Sequence, residues 1–353
     1  MNKIIFIISD LDGGGAQRVL SLLSNSLVKK KYEVTIVTLN NSKSFFKIDK
    51  KIKVESLNLA FRSKNLFIGF FSNIYRIIKL RELLKKKRTD VVVSFIFQTN
   101  IISIISLLFL KKRLIISERN NPFYQKGNFL WGNLRKLFYF FSDVIVVNNN
   151  FAYEYFSLHY KKKVKIINNP VDIPKISLEK EKSILVVSRL HQQKSIHLIL
   201  IAFSRLIHTH RDWSLKIIGV GHLEVSLKIL CKNLKITKNV EWLGEKKNIQ
   251  KYFAKSQIFC LPSLYEGSSN ALLEALSHKM SCIVSSTAIS EKESHFKFVS
   301  TFRSNDENNL YEKLLLSVNA YKKSYSKFDF IKFARKEYSI DKITSEWFKL
   351  FND

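Results

Sequence analysis

The sequence predicts an α/β protein of two Rossmann-like, doubly wound domains facing a cleft. Three observations carry that expectation. Short apolar runs alternate with longer helical patterns along nearly the whole chain. The apolar runs are continuous rather than interleaved with polar residues, as in parallel strands covered by helices on both faces. The rhythm breaks once near the middle of 353 residues, a length suited to two domains of roughly 150–180 residues.

The first domain is set at residues 1–167. Residues 1–9 hold one lysine and an apolar run too short for a secretory leader, so they read as a buried first strand. Further strands fall at 33–39, 53–57, 90–95, 113–117 and 143–147, with helices at 16–30, 66–87, 98–110, 124–141 and 149–160. Residues 91–110 are long enough to cross ~30 Å of hydrocarbon. Ser94, Gln98, Thr99, Asn100, Ser103 and Ser106 interrupt them, however, and a strand followed by a helix accounts for the stretch without a membrane. Two of the four prolines, the Asn168-Asn169-Pro170 turn signal and a charged run mark a linker at 168–182. The second domain, 183–325, restarts the alternation with strands at 183–188, 214–218, 240–243, 257–261 and 280–285. Its helices are expected at 195–209, 223–234, 249–254, 270–278 and 308–321. Residues 326–353 are read as a final helix returning to the first domain.

Composition narrows the function classes. Hydrophobic residues make up 46% of the chain, with 28 phenylalanines, enough to fill cores and exclude disorder. Cys231, Cys260 and Cys282 form no CxxC pair, so neither a disulfide framework nor a zinc module is expected, and a cytoplasmic setting fits. The formal net charge of +30 points either to an anionic surface or to a compositional bias toward lysine.

Several motifs sit where open α/β sheets bind ligands, at strand exits. Asp10-Leu11-Asp12 spells DxD, but no acidic partner cluster follows, and a solvated turn explains it. Gly13-Gly14-Gly15 precedes a helix, where backbone N–H groups and the macrodipole favour a phosphate or sugar oxygen, or where a tight turn is simply needed. A dinucleotide fingerprint is not met, since position 18 is Arg. Ser117-Glu118-Arg119-Asn120-Asn121-Pro122 closes the fifth strand, either as a ligand-facing cluster or as a cap and turn. Arg189 and Lys194 flank the exit of the second domain's first strand, either as one bidentate and one point cation for a diphosphate or as two surface cations in a chain holding 59. Gly219 and Gly221 allow close backbone approach after the next strand. Residues 262–276 read PSLYEGSSNALLEAL, with Glu266 in a loop, Gly267, Ser268 and Ser269 leading into a helix, and Glu274 on the same helical face as Asn270. Carboxylates there accept from hydroxyls while free N–H groups take phosphate.

Together these residues resemble the retaining nucleotide-sugar glycosyltransferases of the GT-B fold, family GT4. The E-x7-E motif matches Glu266 and Glu274, and the Arg-x4-Lys pair matches Arg189 and Lys194. The opening GGAQRVLSLLSNSL and the junction Asn168-Asn169-Pro170-Val171-Asp172 are also similar to the family's. The resemblance implies an acceptor domain first and a nucleotide-sugar domain second. It implies that Glu274 binds the ribose and that Glu266, with Gly267, Ser268, Ser269, Asn270, Gly219 and Gly221, holds the donor. Arg189 and Lys194 would neutralise the departing diphosphate, so neither a metal nor a cofactor other than the nucleotide-sugar co-substrate is expected. Retention is ascribed to front-face attack, which leaves Glu266 without a nucleophile's role. Gly14, Gly15, Arg18 and Arg119 would face the acceptor, and Glu118 stands where many relatives carry a cleft histidine. The SERNNP variant resembles a subgroup acting on lipid-linked oligosaccharides. The Gly-Pro-rich loop of the family is degenerate at 285–291.

The implied reaction moves a hexose or N-acetylhexosamine, from a UDP-sugar as the expected donor, to a glycan or polyprenyl-diphosphate-linked acceptor for surface polysaccharide. Residues 61–88 mix aromatic and aliphatic residues with a basic tail, and could lie on the inner membrane leaflet as a peripheral anchor, or pack on their own sheet. Other readings remain: a sugar-nucleotide epimerase or a phosphorylase on the same fold, a basic nucleic-acid-binding protein, or a non-catalytic scaffold. The paired-glutamate loop argues against nucleic acid as a partner.

Overall fold

The computed structural model describes every residue except 1–2, 41–42, 60–65, 90, 125–128, 173–177, 321–328 and 353. The chain divides into two compact units, one of Met1–Pro170 with Ile340–Asp353 and one of Val171–Ser339.

In the first unit, β1 (Lys3–Ile8), β2 (Glu33–Thr38), β3 (Lys53–Ser56), β4 (Val91–Phe95), β5 (Arg113–Ser117), β6 (Val144–Val147) and β7 (Val164–Ile166) form one parallel sheet in the order β3-β2-β1-β4-β5-β6-β7. The order reverses between β1 and β4, which places a switch point at their carboxyl ends. Right-handed crossovers then sort the helices by face. α1 (Gly15–Lys29) covers one face, while α2 (Leu66–Lys86), α3 (Phe97–Leu107), α4 (Phe129–Phe138) and α5 (Asn150–Tyr160) cover the other. Residues 91–110 are therefore β4 and α3, both almost wholly buried, and no described helix is long and apolar enough to cross a membrane.

β7, just ahead of the linker expected at 168–182, is not among the expected strands; with only three residues and two of them exposed, it lacks the apolar run that marks a central strand. Along α2, Leu80 and Leu84 are buried, whereas Phe71, Ile74, Tyr75 and Ile78 face outward. The start of the expected basic–aromatic segment, 61–65, and the side chains of Phe67 and Phe70 lie outside the described residues.

The second unit repeats the plan with β8 (Glu181–Val187), β9 (Ser214–Ile218), β10 (Val240–Gly244), β11 (Ser256–Leu261), β12 (Ser281–Ser285) and β13 (Val299–Phe302), all parallel, in the order β10-β9-β8-β11-β12-β13. α6 (Ile196–Leu206), α7 (Glu224–Asn233) and α11 (Glu307–Asn319) pack on one face. α8 (Gln250–Lys255), α9 (Asn270–Ser277) and α12 (Asp329–Glu337) pack on the other, and the short α10 (Glu291–Ser294) precedes β13. β8 begins inside the stretch expected as linker. β13 was not foreseen: its sequence VSTF carries little apolar signal.

The C-terminal segment, expected as one helix, is two. Phe330 and Ala334 seat α12 in the second unit's core. α13 (Ile340–Asn352) instead joins the first unit, where Ile343, Trp347, Leu350 and Phe351 fill the core beside α1. Thr344 Oγ1 donates to Ser26 Oγ at 2.9 Å across that contact. Trp347 is fully buried. Trp347→Ala should cost the first unit about 3–5 kcal/mol in urea unfolding, whereas a loss under about 1 kcal/mol would show that α13 adds little.

Candidate active site

The second unit gathers its polar residues at the exits of β8 and β11, the pair that flanks its switch point. β8 leaves through Ser188 and exposed Arg189, and fully buried Leu190 pins the loop to the core. A 3₁₀ turn, Gln192–Lys194, follows, and Ser195 takes a left-handed conformation (φ 46°) that swings the chain into α6. β11 leaves through Pro262 and the loop that carries Glu266. α9 then starts at Asn270, with the Ser269 hydroxyl capping it by accepting from the Leu272 N–H.

Three contacts join these two exits. The Leu264 N–H donates to the Gln193 carbonyl at 2.8 Å, and Gln193 Nε2 donates to the Tyr265 carbonyl at 2.8 Å. Lys194 Nζ lies 2.6 Å from Glu266 Oε1, with both side chains little exposed (13% and 11%). Ser263, fully buried, donates its hydroxyl to the same carboxylate oxygen at 2.7 Å. The cation and carboxylate thus arrive at one place by separate strands. Glu274 sits one turn into α9, 2% exposed, and accepts from Gln250 Nε2 of α8 at 3.4 Å. His191 packs edge-on against His222, 4.6 Å between centroids. Burial first, then the charges of Arg189, His222 and Lys194, hold the His191 imidazole below its ordinary pKa. Cationic groups therefore cluster at this exit, which suits an anionic ligand.

Gly219 and Gly221 have a more local reason than ligand approach. Gly219 adopts φ 138°, and a Cβ there would lie 1.8 Å from the Ser188 carbonyl oxygen; at Gly221 one would lie 2.3 Å from that of Leu190. Their backbones press on the β8 exit and hold it in place, so the need for glycine is met within the chain. Gly267 and Ser268 line the same loop as Glu266, half-buried. Gln193, Ser263 and Gln250 were not singled out from the sequence; a neutral polar side chain carries no signal until the fold supplies its partner.

In the first unit, Gly14 caps α1 in an extended conformation that any residue adopts, and Gly15 opens the helix. Arg18 sits in its first turn, half-buried. Asp10 is occupied within the chain: Gln17 Nε2 donates to Oδ1 at 2.8 Å and Ser9 Oγ to Oδ2 at 2.7 Å. Burial, then the charge of Asp10, raises the Asp12 pKa. Among the described residues no group of three or more His, Cys, Asp and Glu could hold a metal ion, and the DxD is part of a turn.

Glu118 and Arg119, expected to face a ligand, are instead built into the interior. Glu118 is 2% exposed and accepts a short hydrogen bond from the Tyr139 hydroxyl. Burial raises its pKa, opposed by the nearby Arg135 charge and that hydrogen bond. Arg119 Nη1 donates to Asn169 Oδ1 at 2.9 Å, and the guanidinium lies 5.4 and 5.7 Å from the ring centroids of Phe95 and Trp347. Burial lowers its pKa to about 9. Sequence position alone does not separate a strand exit that turns inward from one that opens. A cavity of about 320 Å³ lies nearby, at the carboxyl ends of β1 and β2, lined by Ser9, Asn40, Asn73, Arg76, Gln98 and Trp131 among others. Its lining is drawn from five separate stretches of the chain, so it leaves no contiguous motif.

Residues 169–297 match the profile of the glycosyl transferases group 1, and residues 13–175 that of glycosyltransferase family 4. The chain is 32% identical over 361 residues, 99% of its own length and 98% of the relative's, to an N-acetylgalactosaminyltransferase of Campylobacter jejuni. The relative's name specifies alpha-1,4 transfer to a GalNAc-GalNAc-diNAcBac-PP-undecaprenol acceptor. The fold of this chain matches that of Thermosynechococcus elongatus sucrose-phosphate synthase (TM-score 0.83, 12% identity, 100% and 98% coverage). It also matches an Anabaena protein solved with UDP and glucose (TM-score 0.79, 13% identity, full coverage of both chains).

Because folding raises the Glu118 pKa above its ordinary 4.5, its ionisation disfavours the folded state. Stability present below that value should decline as pH rises through the window just above it. Glu118→Gln should flatten the decline in a pH series of thermal melts; an unchanged series would contradict an interior role.

Proposed function

This chain belongs to the group 1, family 4 glycosyltransferases, and we propose on that premise that it transfers a hexose or N-acetylhexosamine from a UDP-sugar to a lipid-linked glycan. Anomeric configuration is retained and no metal ion takes part. The acceptor is a saccharide on a polyprenyl diphosphate, the class that the Campylobacter relative's name specifies. The product belongs to surface polysaccharide synthesis, and the enzyme works from the cytoplasmic side as a peripheral protein of the inner leaflet.

The observation that carries the reading is the Lys194–Glu266 pair at the joined exits of β8 and β11, with Glu274 on the following helix. The Lys194 ammonium has three donors, so it can keep Glu266 and still reach a diphosphate oxygen. Arg189, exposed beside it, adds a planar fork for a second oxygen. Glu266 accepts from hydroxyls of the transferred sugar, and Glu274, steadied by Gln250, accepts from the ribose. In the transfer, the acceptor hydroxyl oxygen bonds the anomeric carbon as the bond from that carbon to the diphosphate oxygen breaks, leaving its electron pair on the diphosphate. The departing oxygen takes the acceptor's proton, and Lys194 with Arg189 offsets the charge that builds there. We assign acceptor sugars to the first unit, in the cavity of amide, hydroxyl and indole groups around Asn73 and Trp131. Glu118 has no step in this scheme.

A thermal-shift panel of UDP-, GDP- and ADP-sugars tests the donor site, since a ligand bound to the folded state raises the melting temperature by mass action. A UDP-sugar should give the largest rise. Glu274→Ala and Lys194→Ala should each abolish it, and undiminished shifts in both variants would contradict the assignment.

A further inference from the structure

We infer that α4 and the turn behind it dock on an anionic lipid surface. The inference rests on the lipid-linked acceptor proposed above and places the lipid contact apart from the basic stretch of α2. α4 is apolar on two opposite sides. Trp131, Leu134 and Phe138 pack inward on the core shared with α3 and α5. Phe129, Leu130 and Leu137 point outward with Phe140 and Phe141 of the following 3₁₀ turn; Phe129 is 88% exposed and Phe140 65%. Leu158, near the end of α5, is 73% exposed. A helix apolar on both sides and covered on one leaves a face that water does not suit.

The charge around that face selects its partner. Residues 129–165 hold six Lys and Arg against only Asp143 and Glu154, and the Asp143 carboxylate already accepts from the Leu114 N–H at 2.7 Å. Lys136 shares the outer side of α4 and is exposed. Lys161, Lys162 and Lys163 follow α5 directly, and Lys163 Nζ lies 5.0 Å from the Phe140 ring centroid, which brings the basic run beside the aromatic turn. Protein interfaces are depleted of lysine at their centres, whereas aromatic side chains set among lysines are the composition of an interfacial helix on anionic lipid. A leaflet carrying the acceptor meets both features, and the contact would hold the first unit where lipid-linked sugars are.

Flotation of the full chain with phosphatidylglycerol–phosphatidylethanolamine vesicles, and with phosphatidylcholine vesicles as control, tests this. The chain should float with the anionic vesicles only, and lose that at high salt. Phe129→Ser/Leu137→Ser/Phe140→Ser should reduce partitioning about 100-fold, and Lys161→Gln/Lys162→Gln about 10-fold or more. Val225→Ser/Ile229→Ser, exposed positions on α7 of the second unit, should leave it unchanged. All variants should keep the wild-type melting temperature and UDP-sugar shift, which separates loss of docking from loss of the donor site. Three results would overturn the inference: undiminished flotation of both α4–α5 variants, equal binding to phosphatidylcholine, or concentration-dependent self-association that the serine substitutions abolish.

Discussion

The ion pair between Lys194 and Glu266 is the interaction on which the rest of the second unit's site depends. Each charge is largely withdrawn from water, and a charge so placed is costly unless a partner meets it. Ser263 supplies a further hydrogen bond to the shared carboxylate oxygen, and the two backbone-level contacts through Gln193 fix the loops on which both charges ride. The pair holds an ammonium and a carboxylate side by side where the two strands end. Gly219 and Gly221 support it from beneath, because only a residue without a Cβ lets the β9 exit lie against Ser188 and Leu190.

Both units use the same device to different ends. Parallel strands covered on two faces put polar residues at the carboxyl edge, and the reversal of strand order opens space there. In the second unit that edge collects Arg189, Lys194, Glu266 and Glu274. In the first, part of the edge is sealed: the Tyr139 hydroxyl donates to Glu118 and accepts from Asn100 inside the unit, the Arg135 charge lies near Glu118, and Arg119 is packed against Phe95 and Trp347. An amide-rich cavity lies by α2, α3 and α4. α13 completes this unit by placing Trp347 in its core, so the last residues of the chain stabilise its first domain.

Much of this was legible in the sequence, for definite reasons. Runs such as 4–8 and 91–93 are apolar at every position because both faces of each sheet are buried, and such runs cannot be mistaken for solvated strands. β7 and β13 escaped because edge strands need no apolar run. The placement of Lys194, Glu266 and Glu274 was visible because charged residues at strand exits are few and their spacing is fixed. Gln193, Ser263 and Gln250 were not, since their roles exist only once β8, β11 and α8 stand side by side. Glu118 misled in the opposite direction: a carboxylate at a strand exit reads the same whether it opens to a ligand or turns in toward Tyr139. The outward face of α4 was hidden as well, because an apolar helix looks like core until its exposure is known.

In the proposed transfer, Lys194 and Glu266 act on the donor as one unit. A double-mutant cycle of UDP-sugar affinity by isothermal titration calorimetry, with Lys194→Met, Glu266→Gln and the pair together, measures this. A coupling free energy of about 0.5–3 kcal/mol between the two positions is expected. Strictly additive losses would mean that the two side chains meet the ligand independently, and would contradict it.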